Sequence, residues 1–413
     1  MEMQNNHLPT WINAELFENV LKETVGDFKR IHKFEVKNAL GPGENYATIM
    51  LRVNMDVVLR NDSIKQQSFM LKIAPDNKMY REQMSKLELF KTEAGMYRNV
   101  VPEFEELYRN KGVNIRFGAR IYNLPVTSHE YLLLEDLSTS GFRNVKRQDC
   151  LDLQHAKAVL KKLAQWHAAS AVRVAERGLY DKLYLDGFFN GSYMKSTEDV
   201  FDGMIPYILG AVRKLPNHEE YYGKFEKKLK DLNQYLTAEI IDNQDDEEFK
   251  VLNHGDFWCN NIMFQYDDEN QLKETYFVDF QMPRYGSVAQ DLYYFILSST
   301  QLQLKINCFD EFIRYYYDNL VEHLKLLEYS KPLPKLRDIH QSLFKQSVWA
   351  LLTMCCIMSG VLCDPTDAAS MENFIGNSED GDKFKQLLYF NDRYLKHLEV
   401  ILPWLHNRGV LEP

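Results

Sequence analysis

The chain has 413 residues, 45% of them apolar and 13% aromatic, more than one hydrophobic core usually organises, so two lobes are expected. Lys plus Arg number 49 against 59 Asp plus Glu, and the net charge of −10 argues against a nucleic-acid partner, which needs a basic face, while permitting one local basic pocket. No apolar run approaches the roughly 18 to 20 residues that span a bilayer, and Met1-Glu2-Met3-Gln4-Asn5 lacks the basic-then-apolar order of a signal peptide, so a cytoplasmic protein without a membrane partner is expected.

In chain order, 9–24 places Ile12, Leu16, Phe17, Val20 and Leu21 on one helical stripe. Strands follow: 34–36, a glycine turn from Gly41 to Tyr46, a β-branched run over 46–59, and 68–74. In the last of these Phe69, Leu71 and Ile73 share one face and Lys72 takes the other. A helical pattern covers 80–97, and Tyr131 to Leu137 reads as a short apolar strand. Beyond it helices are predicted at 153–176, 200–215, 221–241, 288–304, 309–327, 339–362 and 381–402, interrupted by one β-like island at 251–280. The acidic run 244–248 reads as a solvated loop, and the six scattered cysteines as reduced thiols. The division expected is a lobe over 1–135 and a second over 136–413.

Chemistry concentrates in the island. His254-Gly255-Asp256 follows an apolar strand, Asn261 comes five residues after Asp256, and a second strand ends in Asp279-Phe280-Gln281. The predicted arrangement is a hairpin-like platform holding Asp256 and Asn261 at one end, with Asp279 converging on them. Phosphoryl transfer needs a carboxylate that orients the attacking hydroxyl and accepts its proton, and hard oxygen ligands for magnesium. Asp256 fits the first role, Asn261 and Asp279 the second.

These motifs, with Asp291, resemble the aminoglycoside phosphotransferase and choline kinase type of small-molecule kinase. The longer strings from His254 to Met263 and from Val278 to Leu292 resemble the insect ecdysteroid kinase-like family more narrowly. That resemblance implies an α+β, bilobal protein-kinase-like fold, with a small antiparallel-sheet lobe binding nucleotide and a large, mainly helical lobe binding the acceptor. It also implies ATP and Mg2+, and transfer to a hydroxyl of an ecdysteroid or related steroid-like or xenobiotic alcohol; a monomer is expected. Lys72 then corresponds to the lysine that pairs phosphates, Glu93 to its helix partner, Gly41, Gly43, Asn45 and Tyr46 to the phosphate loop, and Glu135 and Leu137 to the adenine hinge. Asp291 is implied as a brace for the catalytic loop.

Competing readings accompany these assignments. Lys72 fits a snorkelling surface lysine, and Glu93 an exposed helical pair with Lys91 or Arg98. His254 reads as a loop-shaping residue, His167 as a satisfied core histidine and Cys259 as a spectator. Tyr293-Tyr294-Phe295, Tyr315-Tyr316-Tyr317 and Phe188-Phe189 are aromatic clusters that suit either the core or an apolar acceptor. Gln281, where protein kinases have glycine, and the lack of an Ala-Pro-Glu segment disfavour a regulated protein kinase. A choline-like or aminoglycoside-like acceptor, and a non-catalytic ligand-binding protein on the same fold, remain alternatives.

Overall fold

Alternation builds the first sheet. In β2 (Ile49–Leu59) the side chains of Leu51, Val53, Met55 and Val57 are buried while Arg52, Asn54 and Asp56 lie between them. β1 (Phe28–Asn38), β2, β3 (Ile64–Ile73), β5 (Tyr131–Glu135) and β4 (Ile121–Tyr122) form one antiparallel sheet in the order β1-β2-β3-β5-β4. This computed structural model describes residues 9–39, 48–75, 84–125, 129–185, 187, 198–238, 247–376 and 378–412. Gly41, Gly43, Asn45 and Tyr46, like Phe188 and Phe189, therefore lie outside the described residues.

The two faces of this sheet serve different cores. Helix α1 (Glu18–Thr24) and the turn before it press Phe17, Val20 and Leu21 onto Leu51, Val53, Phe69, Leu71 and Leu133. Leu132 and Leu134, one residue either side of Leu133, face the opposite way and join the larger core with Leu89 and Phe90 of α2 (Leu89–Gly95). Each such fully buried aliphatic side chain contributes about 1.5–3 kcal/mol. A five-residue π turn, Met96–Val100, joins α2 to α3 (Val101–Arg109), and both helices bury their apolar faces in the larger core.

That larger core is mainly helical. Its axis is α4 (Leu153–Arg177), capped by Asp152, whose side chain accepts from the His155 N–H at 2.9 Å, and ended by Gly178 at φ +80°. α4 packs along the helix Phe309–Leu326 and against β7 (Lys250–Asn253) and β9 (Leu272–Phe277). Together the antiparallel sheet and the helical remainder make the bilobal α+β kinase-like fold. Among the described residues no single helix is long and apolar enough to cross a membrane.

Several predicted elements change once tertiary contacts are present. The island is not one hairpin: β7 pairs with β10 (Arg284–Ser287), whereas β8 (Ile262–Tyr266) pairs with β9 and with β6 (Phe142–Arg143). Strands flanking the polar loop thus belong to two sheets, because Gly255 at φ +85° turns the chain out of line with β7. The helix expected at 288–304 stops at Ser299, since the Ser299 carbonyl accepts the Leu151 N–H at 2.8 Å and Thr300 bridges to Leu151. That expected at 339–362 bends by 60° between Leu336–Lys345 and Val348–Leu362.

Candidate active site

Lys72 leaves β3 on the face away from α1 and is 2% exposed. Its ammonium donates to Glu93 Oε2 at 2.7 Å and to Asp279 Oδ1 at 2.5 Å. Glu93 is 1% exposed on α2, while Lys91 pairs with Glu88 at 2.7 Å and Arg98 reaches Asn123 at 3.2 Å. Both the surface-lysine reading of Lys72 and the surface-pair reading of Glu93 are thereby excluded. Burial pulls the Lys72 pKa down, but the charges of Asp279 and Glu93 outweigh it and hold the ammonium above its ordinary value. Burial pushes Glu93 up to about 7, opposed by Lys72 and reinforced by Asp279.

Asp279 follows β9 in a left-handed conformation, φ +67°, which aspartate tolerates better than most residues. Phe280 fixes it there: the ring is fully buried, stacked on Trp166 of α4 at 5.1 Å and edge-on to Tyr97 of the π turn at 5.1 Å. Gln281 puts its side chain into the site, with Nε2 donating to Asp279 Oδ2 at 3.3 Å and Oε1 within 3.5 Å of Lys72 Nζ. Glutamine here is thus a third group on the Lys72–Asp279 contact.

The catalytic loop starts with a steric requirement. A Cβ at Gly255 would lie 1.7 Å from the Met282 carbonyl oxygen, and φ is +85°, so no other residue fits between His254 and Asp256 without rearrangement. Asp291, buried in α8 (Ala289–Ser299; the helices Glu198–Val212, Tyr222–Lys230 and Leu232–Thr237 are α5 to α7), accepts the His254 N–H at 2.7 Å and the Gly255 N–H at 3.0 Å. The His254 ring meets the Val278 carbonyl at 3.0 Å, and His167 lies between Tyr316, at 2.7 Å, and Asp291, at 3.3 Å. Both histidines are bonded core groups.

Asp256 is half-buried at the loop's tip. Its Oδ2 accepts from Asn261 Nδ2 at 2.9 Å, and the same nitrogen donates to the Asp256 carbonyl at 2.8 Å. Its Oδ1 accepts from the Tyr294 hydroxyl at 2.7 Å. Burial and the nearby Asp279 charge raise its pKa, against the hydrogen bond from Tyr294. Cys259, inside the loop, is buried and pushed up to about 12 by that burial, which makes it a poor nucleophile.

At the predicted hinge, Glu135 donates its N–H to the Arg120 carbonyl at 2.8 Å, and its carboxylate accepts from the Arg116 guanidinium, also at 2.8 Å. Leu137 is buried and opens a 3-10 turn capped by Asp136. The Glu135 side chain and N–H and the Leu137 carbonyl are thus engaged with protein.

Charge supports a cation at the centre: Glu93 and Asp279 both pair with the Lys72 ammonium, and Asp279 lies near enough to Asp256 to raise its pKa. No cluster of three or more His, Cys, Asp or Glu side chains with metal-site geometry occurs among the described residues. That combination suits a hard divalent ion taking one carboxylate and one amide from protein and the remainder from phosphate oxygens.

Sequence reading missed Gln281 and Tyr294 as members of the site. Tyr294 carried a usable signal, standing three residues after Asp291 and so on the same helical face. Of the three aromatics at 293–295, Tyr293 bonds the Leu343 carbonyl at 3.1 Å and Phe295 is core, so only Tyr294 reaches the catalytic loop.

No curated protein matches the chain. The ecdysteroid kinase-like family model matches residues 42–329, a span that contains every site side chain described above. With that match over more than half its length, and with this fold and this set of side chains, the chain belongs to the ecdysteroid kinase-like family.

Proposed function

We propose that the protein is an ATP-dependent, Mg2+-requiring kinase that phosphorylates a hydroxyl of a small molecule, an ecdysteroid or a related steroid-like or xenobiotic alcohol. The observation that carries this reading is the convergence of Lys72, Asp279 and the Asp256–Asn261 pair from three separate stretches of chain.

In this reading Lys72 holds the α and β phosphates and Glu93 fixes Lys72. Asn261 spends its amide nitrogen on Asp256, so its amide oxygen, with the Asp279 carboxylate, would hold Mg2+. Bound Mg2+ supplies charge neutralisation along the phosphate oxygens. Asp256 orients the acceptor and takes its hydroxyl proton as the acceptor oxygen bonds to the γ-phosphorus and the bond to the β,γ-bridging oxygen breaks, leaving ADP. A raised pKa makes Asp256 a better proton acceptor than an ordinary aspartate. Adenine would be met by main-chain groups at Glu135 and Leu137, and the segment containing Gly41, Gly43, Asn45 and Tyr46 would cover the phosphates. The family match supports a steroid-like or xenobiotic alcohol over a polycation.

The test is transfer from γ-labelled ATP to an ecdysteroid, hydroxylated xenobiotics, choline and an aminoglycoside, using wild type, Asp256→Asn and Asp279→Ala. Labelling of the ecdysteroid or xenobiotics by wild type, reduced by about 10²-fold or more in both variants, is expected. Equal labelling by all three proteins would overturn the site assignment. Labelling of choline or the aminoglycoside alone would overturn the acceptor class.

A further inference from the structure

Tyr294 is used by none of the roles above, yet its hydroxyl lies against the catalytic carboxylate. The residue is 4% exposed in α8, a helix buried on every side, so its hydroxyl needs a partner inside the protein. It finds Asp256 Oδ1 at 2.7 Å, while Asn261 takes Oδ2 at 2.9 Å, and each carboxylate oxygen is thus held by a different donor.

The two donors come from independent parts of the fold. Asn261 belongs to the loop itself and moves with it. Tyr294 belongs to the helix that also carries Asp291, one turn earlier, and Asp291 already fixes the His254 and Gly255 N–H groups. One helical face therefore holds three successive residues, the first two by main chain and the third by side chain. Burial and the neighbouring Asp256 charge keep the phenol protonated far above neutral pH, so it remains a donor throughout.

We propose that Tyr294 is a positioning residue for the proposed transfer: its hydroxyl fixes the orientation of the Asp256 carboxylate, so that the attacking hydroxyl meets a preset oxygen. The inference rests on the kinase reading. A phenylalanine there would keep the packing and free the carboxylate to rotate about its remaining Asn261 contact, lowering the fraction of time spent in line.

Tyr293 provides the control. It is the neighbouring buried tyrosine of the same helix, and its hydroxyl bonds the Leu343 carbonyl, remote from the chemistry. The experiment measures Mg·ATP turnover with water as acceptor, the Kd of a non-hydrolysable ATP analogue and urea denaturation for wild type, Tyr294→Phe, Tyr293→Phe, Asp256→Asn and the double variant Tyr294→Phe/Asp256→Asn. Expected for Tyr294→Phe is a fall in kcat of about tenfold with nucleotide Kd within about twofold of wild type. Tyr293→Phe should lose stability but keep kcat, and Tyr294→Phe should cost nothing further in the Asp256→Asn background, because it acts through that carboxylate.

Equal kcat losses in the two tyrosine variants would make the effect structural and overturn the proposal. The same fold loss with and without the Asp256 carboxylate would overturn it too, as would an unchanged kcat for Tyr294→Phe. Wild type that neither binds the analogue nor turns over Mg·ATP would overturn the kinase reading and this role with it.

Discussion

Lys72 Nζ and Asp279 Oδ1 meet at 2.5 Å although 207 residues separate them, and this contact joins the sheet lobe to the helical lobe. Glu93 completes it from α2, so one ammonium bridges two carboxylates at the junction. Removing one member of a buried, hydrogen-bonded charge set leaves the others without compensation.

Lys72→Met should therefore cost about 3–5 kcal/mol of stability as well as activity. Adding Glu93→Gln should restore much of the stability, because it removes the carboxylate that Lys72→Met strands, without restoring phosphate transfer. Urea denaturation and ATP turnover on the single and double variants would separate the effects. Equal stability of wild type and Lys72→Met would contradict this account of the junction.

Gly255 and Gly112 separate conformational strain from steric exclusion. Both have positive φ, +85° and +74°, but a Cβ at Gly112 meets nothing within 4 Å whereas one at Gly255 meets the Met282 carbonyl at 1.7 Å. Gly112→Ala should cost about 1 kcal/mol, the left-handed penalty alone. Gly255→Ala should cost at least about 3 kcal/mol and lower ATP turnover strongly, since the loop must shift away from the β7–β10 pair. Similar denaturation midpoints for the two variants would refute the distinction.

Gly95 lets the helical lobe grip α2. A Cβ there would lie 1.9 Å from the Tyr184 hydroxyl, which also bonds Asn99 on the π turn. Gly95→Ala should displace α2, move Glu93 from Lys72 and weaken nucleotide binding by about tenfold. Tyr184→Phe should relieve the clash in part, since the next ring atom stands 3.1 Å from the added carbon. Titration of Mg·ADP into the single and double variants measures the rescue; its absence would mean that Gly95 matters for another reason.

His397 predicts acid sensitivity. Burial, with the positive charge of Lys305 added, lowers its pKa from 6.5 to about 2, and its Nδ1 has no hydrogen-bond partner. Below pH 6.5 the unfolded chain binds a proton at this position that the folded chain refuses until near pH 2. Stability from this group is thus complete above 6.5 and falls as pH drops, by about 1.4 kcal/mol per pH unit. His397→Asn should flatten the decline between pH 6.5 and 5.5 by about 1 kcal/mol in urea denaturation, since the full slope is reached only below the unfolded pKa. Parallel pH profiles for variant and wild type would show that the ring is not held neutral.

Much of the site was legible because its signals are local. Asp256 and Asn261 stand at a fixed offset between apolar strands, and the alternation of Phe69, Leu71 and Ile73 put Lys72 on the opposite face of β3 without reference to any partner. Long-range pairing was not legible. The strands around the catalytic loop have similar apolar character, and their assignment to β7–β10 and β6–β8–β9 depends on the turn at Gly255 and on which strand arrives beside them. The helix break at Ser299 was hidden for the same reason, because helical periodicity continues across it while the backbone is claimed by Leu151.

By itself the sequence determined the residue types for phosphoryl transfer, their order and the faces of the strands that bear them, since these follow from spacing and side-chain chemistry. Tertiary structure alone decided that Glu93 turns inward to Lys72, that Gln281 joins Asp279 and that Tyr294 holds Asp256. Those choices depend on burial: a buried charge or hydroxyl must find a partner, and which partner lies within reach is fixed only when the lobes meet.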